Sequence, residues 1–208
     1  MLSLQQVGYH PPTTPQPILA NISLQLPVNQ IGVVMGSSGA GKSTLLELIA
    51  GLARPTSGSI GWQQQSLTPS QLRRLAGLVF QFPERHFCGA TLREELSFGH
   101  PQVTLAEMEA VLEQVGLAGV PLTDSPFRLS GGQQRRLALA VQLIRSPFLL
   151  LLDEPTAGLD WSVRNQVVGL LATLKSTWTM LIVSHEPQEL ASVTDCLWRL
   201  EQGSLIPN

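Results

Sequence analysis

Gly36-Ser37-Ser38-Gly39-Ala40-Gly41-Lys42-Ser43-Thr44 fits the pattern G-x-x-x-x-G-K-[ST], the spacing at which a chain cradles phosphate. Glycine lets the backbone curl until successive amide hydrogens converge on anionic oxygens, where a side chain would obstruct them. Lys42 can reach the outer phosphates of a nucleoside triphosphate, and the Ser43 hydroxyl can bind magnesium beside them. An apolar run without alternation, Ile31 to Met35, precedes this loop, and an apolar-periodic segment from Lys42 to Leu52 follows it. The motif thus stands between a buried strand and a helix, whose positive N-terminal end adds to the attraction for an anion.

Two carboxylates, Asp153 and Glu154, follow the apolar run Phe148 to Leu152. Adjacent strand residues point different ways. Asp153 can then hold magnesium, usually through water, while Glu154 faces a hydrolytic water as general base. Taken alone, the pair also reads as an acidic turn before Pro155. Leu129-Ser130-Gly131-Gly132-Gln133 opens a helix whose apolar positions include Leu137, Ala138, Val141 and Ile144. Ser130 with Gln133 is an ordinary capping box on one reading. Two glycines in the first turn, however, cost up to about 1 kcal/mol each relative to alanine without supplying packing. They make sense if bare amides must approach an anion at a positive helix end.

The elements that must position these residues follow from periodicity. Ile18, Ala20, Ile22, Leu24 and Leu26 alternate with Asn21, Ser23 and Gln25, as in a half-buried strand, and Met1 to Tyr9 is expected to pair with it. The Pro-rich stretch His10 to Pro17 is a loop. A short strand, Gly77 to Phe80, ends at Gln81. In the second half, a helix from about Ser130 to Ile144, a strand at Phe148 to Leu152, a helix from Asp160 to Leu174 and a strand at Met180 to Val183 alternate, which favours a parallel sheet covered on both faces. Between the halves, residues from about 81 to 129 are mostly helical, with possible capping boxes at Thr91/Glu94 and Thr104/Glu107 and a helical spacing of Leu105, Met108, Leu112 and Val115 ending at Gly116. The expected organisation is one α/β domain, 1–208. Residues 1–80 and 130–208 form its nucleotide-binding core, and residues 81–129 form an inserted helical lobe.

Composition limits the remaining possibilities. The 208 residues are 43% hydrophobic, enough for a substantial core, and only 13% charged with a net charge of −2, which argues against a general electrostatic grip on nucleic acid. No apolar run approaches the ~20 residues of a spanning helix, and Met1 to Tyr9 lacks the features of a signal peptide. The expected compartment is the cytosol, with any membrane role requiring a partner. Cys88 and Cys196 stand far apart in sequence and read as structural or incidental thiols. The four tryptophans read as core or partly exposed packing residues.

Together these motifs, in this order, resemble the ATP-binding-cassette (ABC) family over essentially the whole chain. Leu129 to Gln133 matches the LSGGQ signature without substitution. The resemblance implies an ABC ATPase fold: a P-loop core of mainly parallel sheet, an N-terminal antiparallel β subdomain and the helical lobe. It also implies ATP and Mg2+ as bound groups. Tyr9 would stack on adenine, although a plain strand residue is the alternative. Gln81 would be the Q-loop residue sensing magnesium and water, Asp153 and Glu154 the Walker B and catalytic carboxylates, Asp160 the D-loop, and His185 the switch histidine reaching the γ-phosphate. The family further implies that two such domains meet head to tail, Ser130, Gly131, Gly132 and Gln133 of one covering ATP on the P-loop of the other. A homodimer and a paralogous heterodimer both fit.

Gln81-Phe82-Pro83-Glu84-Arg85-His86-Phe87 resembles the corresponding segment of ATPases from energy-coupling-factor importers of vitamins and metal ions, although Phe82, Pro83 and Phe87 also read as generic apolar contacts. The expected function is ATP hydrolysis powering an ABC transporter, with the chain held at the inner face of a membrane by transmembrane subunits. The alternatives are a non-transport ABC ATPase acting on a membrane complex, or one acting on nucleic acid or ribosomes; the coiled coils, zinc modules and fused cassettes typical of the latter are missing from the sequence. A regulatory extension after the last strand is not expected, and substrate choice would lie in other subunits.

Overall fold

A computed structural model describes residues 1–207; Asn208, the last residue of the expected core, lies outside them. Two sheets form the framework. The smaller is antiparallel, β1 (Leu2–Tyr9) lying between β2 (Leu19–Leu26) and β4 (Ser57–Trp62), with β5 (Gln65–Ser66) at its edge. The larger has the order β10 (Ser204–Pro207), β9 (Cys196–Glu201), β3 (Ile31–Met35), β8 (Thr179–Ser184), β7 (Leu149–Asp153), β6 (Ala76–Val79), parallel throughout except for β10. This is the α/β architecture expected from the alternating elements of the second half.

The unalternated apolar runs have a simple reason. Strand residues still point to opposite faces, but both faces are buried. Leu150 and Leu152 of β7 and Met180 and Ile182 of β8 join one core, with α5 (Gly131–Leu143) and α6 (Trp161–Leu174). Leu149, Leu151, Leu181 and Val183 join the other, beneath α1 (Lys42–Ile49) and the antiparallel sheet. The first core also takes in Leu92 and Leu96 of α3 (Leu92–Ser97) and Met108, Val111 and Leu112 of α4 (Leu105–Gln114). The inserted helices therefore share apolar surface with α5.

Several local expectations shift. The alternation in β2 slips at Asn21, whose φ of +56° accompanies an irregular register with β1. Leu19 is buried in place of Ile18, and Ala20 is exposed. A bulge turns the side chains over while leaving the strand intact. At α3 the Thr91 hydroxyl accepts the Glu94 N–H at 3.2 Å, but the Glu94 carboxylate accepts from Ala90 rather than Thr91, so no reciprocal box closes. At α4 it does close, between Thr104 and Glu107. Leu105 and Phe148 are exposed, each just outside the apolar pattern it seemed to begin. Trp161 also departs from the packing expectation: it opens α6 and is 74% exposed. The helix α2 (Pro69–Leu75), with a Thr68/Gln71 capping box, joins β5 to β6.

Candidate functional site: a cleft at the strand ends

Four neighbouring parallel strands finish nearly level. Met35 of β3 pairs with Ser184 of β8, Val183 with Asp153 of β7, and Leu152 with Val79 of β6. The loop after β3, His185, the Asp153–Glu154 pair and Gln81 are thereby brought side by side, although they are far apart in sequence. Carboxyl ends of parallel strands are where open α/β sheets bind ligands. Here they surround a cleft of about 590 Å³ lined by Ile18, Ser38, Gly39, Gly41, Lys42, Ser43, Thr44, Gln81, Asp153, Glu154 and His185.

Gly41 caps α1 with φ +97°, and a Cβ there would meet Leu19 Cδ2 at 2.9 Å. Only glycine satisfies both the dihedral and the space. The next residue, Lys42, is buried; its ammonium donates to the carbonyls of Gly36 (2.8 Å) and Ser37 (3.2 Å) and stands 3.5 Å from Glu154 Oε1. Ala40 closes the loop by donating its N–H to Ser37 O at 3.2 Å.

Glu154 is 6% exposed and holds φ at +49°. Its Oε2 accepts two hydrogen bonds from His185, from ring Nδ1 at 2.8 Å and from the backbone N–H at 3.1 Å. Burial pushes the Asp153 carboxyl above the usual carboxylate range; the Ser43 hydroxyl opposes this shift, the Glu154 charge adds to it, and the Lys42 charge opposes it. The cleft therefore has a cationic floor at Lys42, one carboxylate engaged with a histidine, and a second carboxylate beside a serine hydroxyl. A polyanion flanked by a hard cation would complement this distribution of charge.

A profile described as ABC transporter matches residues 19–157, more than half of the chain. The chain belongs to the ABC transporter family. It is 43% identical over 99% of its length, and 80% of the relative's, to "ABC transporter I family member 11, chloroplastic" of Arabidopsis thaliana. It is 37% identical to the energy-coupling factor transporter ATP-binding protein EcfA2 of Latilactobacillus sakei, across 95% of this chain and 73% of that one. Among solved structures, cbiO1 of Clostridium perfringens, part of the ABC transporter complex cbiONQ, superimposes with a TM-score of 0.89 at 27% identity, covering 99% of this chain and 86% of that one. The ATP-binding cassette MJ0796, solved as a dimer in a post-hydrolysis state with ADP and Pi, superimposes with a TM-score of 0.84 at 26% identity, covering 100% of this chain and 98% of that one. This ABC protein is an ATP-binding and ATP-hydrolysing transporter subunit.

The ABC signature residues lie elsewhere: none of Ser130, Gly131, Gly132 and Gln133 lines the cleft. Ser130 and Gln133 close a reciprocal capping box at the start of α5. Gly131 has open space where a Cβ would be, but at Gly132 a Cβ would lie 2.4 Å from Val163 Cγ1. The expectation that neither glycine serves packing is thus corrected for Gly132, which lets the first turn of α5 press against α6. Asp160 caps α6, its side chain accepting the Val163 N–H at 3.0 Å. Tyr9 ends β1 with its carbonyl accepting from Ile18 N (2.9 Å) and does not line the cleft, whereas Ile18 does.

Three residues of this ABC chain escaped the sequence reading. Ile18, which its alternation marks only as a strand position, lines the cleft. Glu95 is buried and its Oε2 accepts the N–H groups of Cys88 and Gly89, both at 2.7 Å, pinning the segment after Gln81 onto α3. Arg135 donates to three carbonyls of the turn after β7. For Glu95 a signal existed, a charge between Leu92 and Leu96 on a short helix; Arg135 sits in the polar run Gln133 to Arg136, where nothing local sets it apart.

Proposed function

We propose that this chain is the ATP-driven motor of an energy-coupling-factor type importer, paired with a second ABC ATPase subunit and held at the inner face of a membrane by transmembrane partners. Likeness to EcfA2 and to a subunit of the cbiONQ complex supports the subtype. No helix among the described residues is long and apolar enough to cross a membrane, which agrees with attachment through partners. A groove of about 190 Å³ beside the post-Gln81 segment is lined by Phe80, Pro83, Phe87 and the 65% exposed Phe98 among others. An apolar groove of this kind suits a helix of a membrane subunit.

Within the cleft, amides of the loop from Gly36 to Thr44, with Lys42, hold the phosphates; Tyr9, at the end of β1 and outside the cleft lining, stacks on a base that extends beyond the cleft. Gln81, Ser43 and Asp153 supply an amide, a hydroxyl and a carboxylate to one cavity. These are hard oxygen donors of the kind that suit magnesium, which keeps waters and relies on substrate phosphates. When bound, the ion offsets charge on the β- and γ-phosphate oxygens. Glu154 takes the proton of the attacking water. His185 holds that carboxylate through Nδ1 and reaches the γ-phosphate. Lys42 stabilises the charge spreading over the phosphoryl oxygens. Ser130, Gly131, Gly132 and Gln133 act on the partner's nucleotide, so that ATP binding closes the pair and hydrolysis opens it.

The observation that carries the hydrolytic part of this reading is the convergence of Lys42 and His185 on one buried carboxylate, Glu154. Purification from gentle detergent tests the transport assignment: membrane subunits of an importer should co-purify. A soluble homodimer whose hydrolysis is stimulated by nucleic acid would refute it. The Glu154→Gln variant tests the base, and is expected to abolish turnover and accumulate an ATP-bound dimer.

A further inference from the structure

Arg135 lies in the second turn of α5, two positions after the signature run, and its guanidinium closes a turn belonging to another element. Nη1 donates to the carbonyls of Glu154 (3.0 Å) and Pro155 (2.9 Å), and Nη2 to that of Ala157. A planar fork suits this task because its donors are fixed relative to one another. The turn begins at Glu154, whose positive φ costs a non-glycine residue about 1 kcal/mol or more unless its surroundings hold it. Glu154 N–H donates to Val183 O at 3.0 Å, and Ala157 N–H returns to Glu154 O at 3.2 Å. Leu159 N–H donates to Thr156 O at 3.3 Å, and Arg135 occupies the carbonyls of Glu154, Pro155 and Ala157. The void beside its stem, walled by Leu139, Leu152, Pro155 and Val167, measures about 10 Å³, marginal for a single water that would have to replace it.

The same stretch of α5 is tied down at its start. The Ser130/Gln133 box caps it, and Gly132 rests on Val163 in the first turn of α6, immediately after the Asp160 cap. The segment from Glu154 to Asp160 is thus gripped by α5 at both ends, at its carbonyls by Arg135 and at the following helix by Gly132. On the far side, the charge of Glu84, in the turn just after Gln81, also bears on the guanidinium.

We propose that Arg135 is a positioning residue: from α5 it fixes the backbone of the Glu154 turn, and so the direction in which this chain's own base presents its carboxylate to the cleft. The proposal rests on the roles assigned above to Glu154 and to Ser130 through Gln133. Arg135 is not among the residues that line the nucleotide cleft.

The test uses the full chain with Arg135→Met and Arg135→Lys, each alone and with Glu154→Gln. Arg135→Met should lower kcat about 10- to 100-fold, as misplacement of a reacting group by ~1 Å does, while the KM for ATP stays within about twofold. Arg135→Lys, retaining a cation but not the fork, should fall between Met and wild type. Arg135→Met in the Glu154→Gln background should still collect ATP-bound dimers, because the signature residues are intact. A kcat for Arg135→Met within about twofold of wild type would overturn the proposal. So would a kcat loss matched by a raised KM or by loss of the trapped dimer, since that pattern means Arg135 merely holds α5 together. If a thermal melt shows Arg135→Met unfolded, Arg135→Lys decides: an unchanged kcat sinks the proposal, and a lowered kcat with unchanged KM supports it. Glu154→Gln alone reports on the underlying reading, which fails independently of Arg135 if that variant turns over normally or gathers no dimer.

Discussion

His185 reaches Glu154 twice, through ring Nδ1 at 2.8 Å and through its backbone N–H at 3.1 Å, both on the same oxygen, Oε2. The backbone bond survives any substitution of the ring, so His185→Ala removes orientation from the carboxylate without freeing it. General-base catalysis contributes roughly 10²- to 10⁴-fold; His185→Ala is expected to lose at least the lower part of that range in kcat, with ATP binding preserved. Steady-state hydrolysis alongside equilibrium nucleotide binding separates the two. A parallel loss of binding would mean that His185 holds nucleotide instead.

Lys42 and Glu154 form a buried pair, Nζ to Oε1 3.5 Å, with Lys42 also bonded to two loop carbonyls. Removing only the lysine leaves a buried carboxylate with less compensation. Lys42→Met should therefore be destabilised, and adding Glu154→Gln should restore about 1–3 kcal/mol of that loss. Urea denaturation of both variants without nucleotide provides the measurement.

Gly131 and Gly132 should respond in opposite ways to alanine. Gly131→Ala meets open space and gains up to about 1 kcal/mol of helix propensity, yet should impair hydrolysis that depends on the partner. Gly132→Ala places a Cβ 2.4 Å from Val163 Cγ1 and should cost about 1–3 kcal/mol through overpacking. Val163→Ala added to Gly132→Ala should recover stability in thermal melts.

The raised pKa of Asp153 sets a pH signature. The folded state binds its proton more tightly than the unfolded state, so stability falls as pH rises from the unfolded to the folded pKa, and the penalty stays in full above the latter. Asp153→Asn relieves it. In the absence of nucleotide and magnesium, this variant should be more stable than wild type near neutrality, and the difference should vanish below the ordinary carboxylate pKa of about 4. A difference that persisted in acid would assign the effect to packing.

Phe98 stands 65% exposed at the apolar groove and outside the nucleotide cleft. Phe98→Asp should leave nucleotide binding by the isolated chain unchanged and reduce recovery of membrane subunits in detergent-purified complexes. Equal recovery would move the docking site elsewhere.

Much of this site was legible in sequence because its chemistry is local. The loop from Gly36 to Thr44 needs successive residues for one backbone path, and the Asp153–Glu154 pair needs one strand end. The capping boxes at Thr104 and Ser130 each span four consecutive residues, and both close. Likewise, the apolar runs of β7 and β8 identified strands buried on both faces. Tertiary structure decided what depends on side chains approaching across long gaps. His185 meets Glu154 across 31 positions, Gly132 yields space to Val163 in another helix, and Arg135 finds its carbonyls 19 to 22 residues away. The slip in β2 belongs here too, since a bulge depends on how β1 and β2 pair. Spacing determines which groups share an element, but the choice of partners is made only when parallel strands end side by side and helices pack over them.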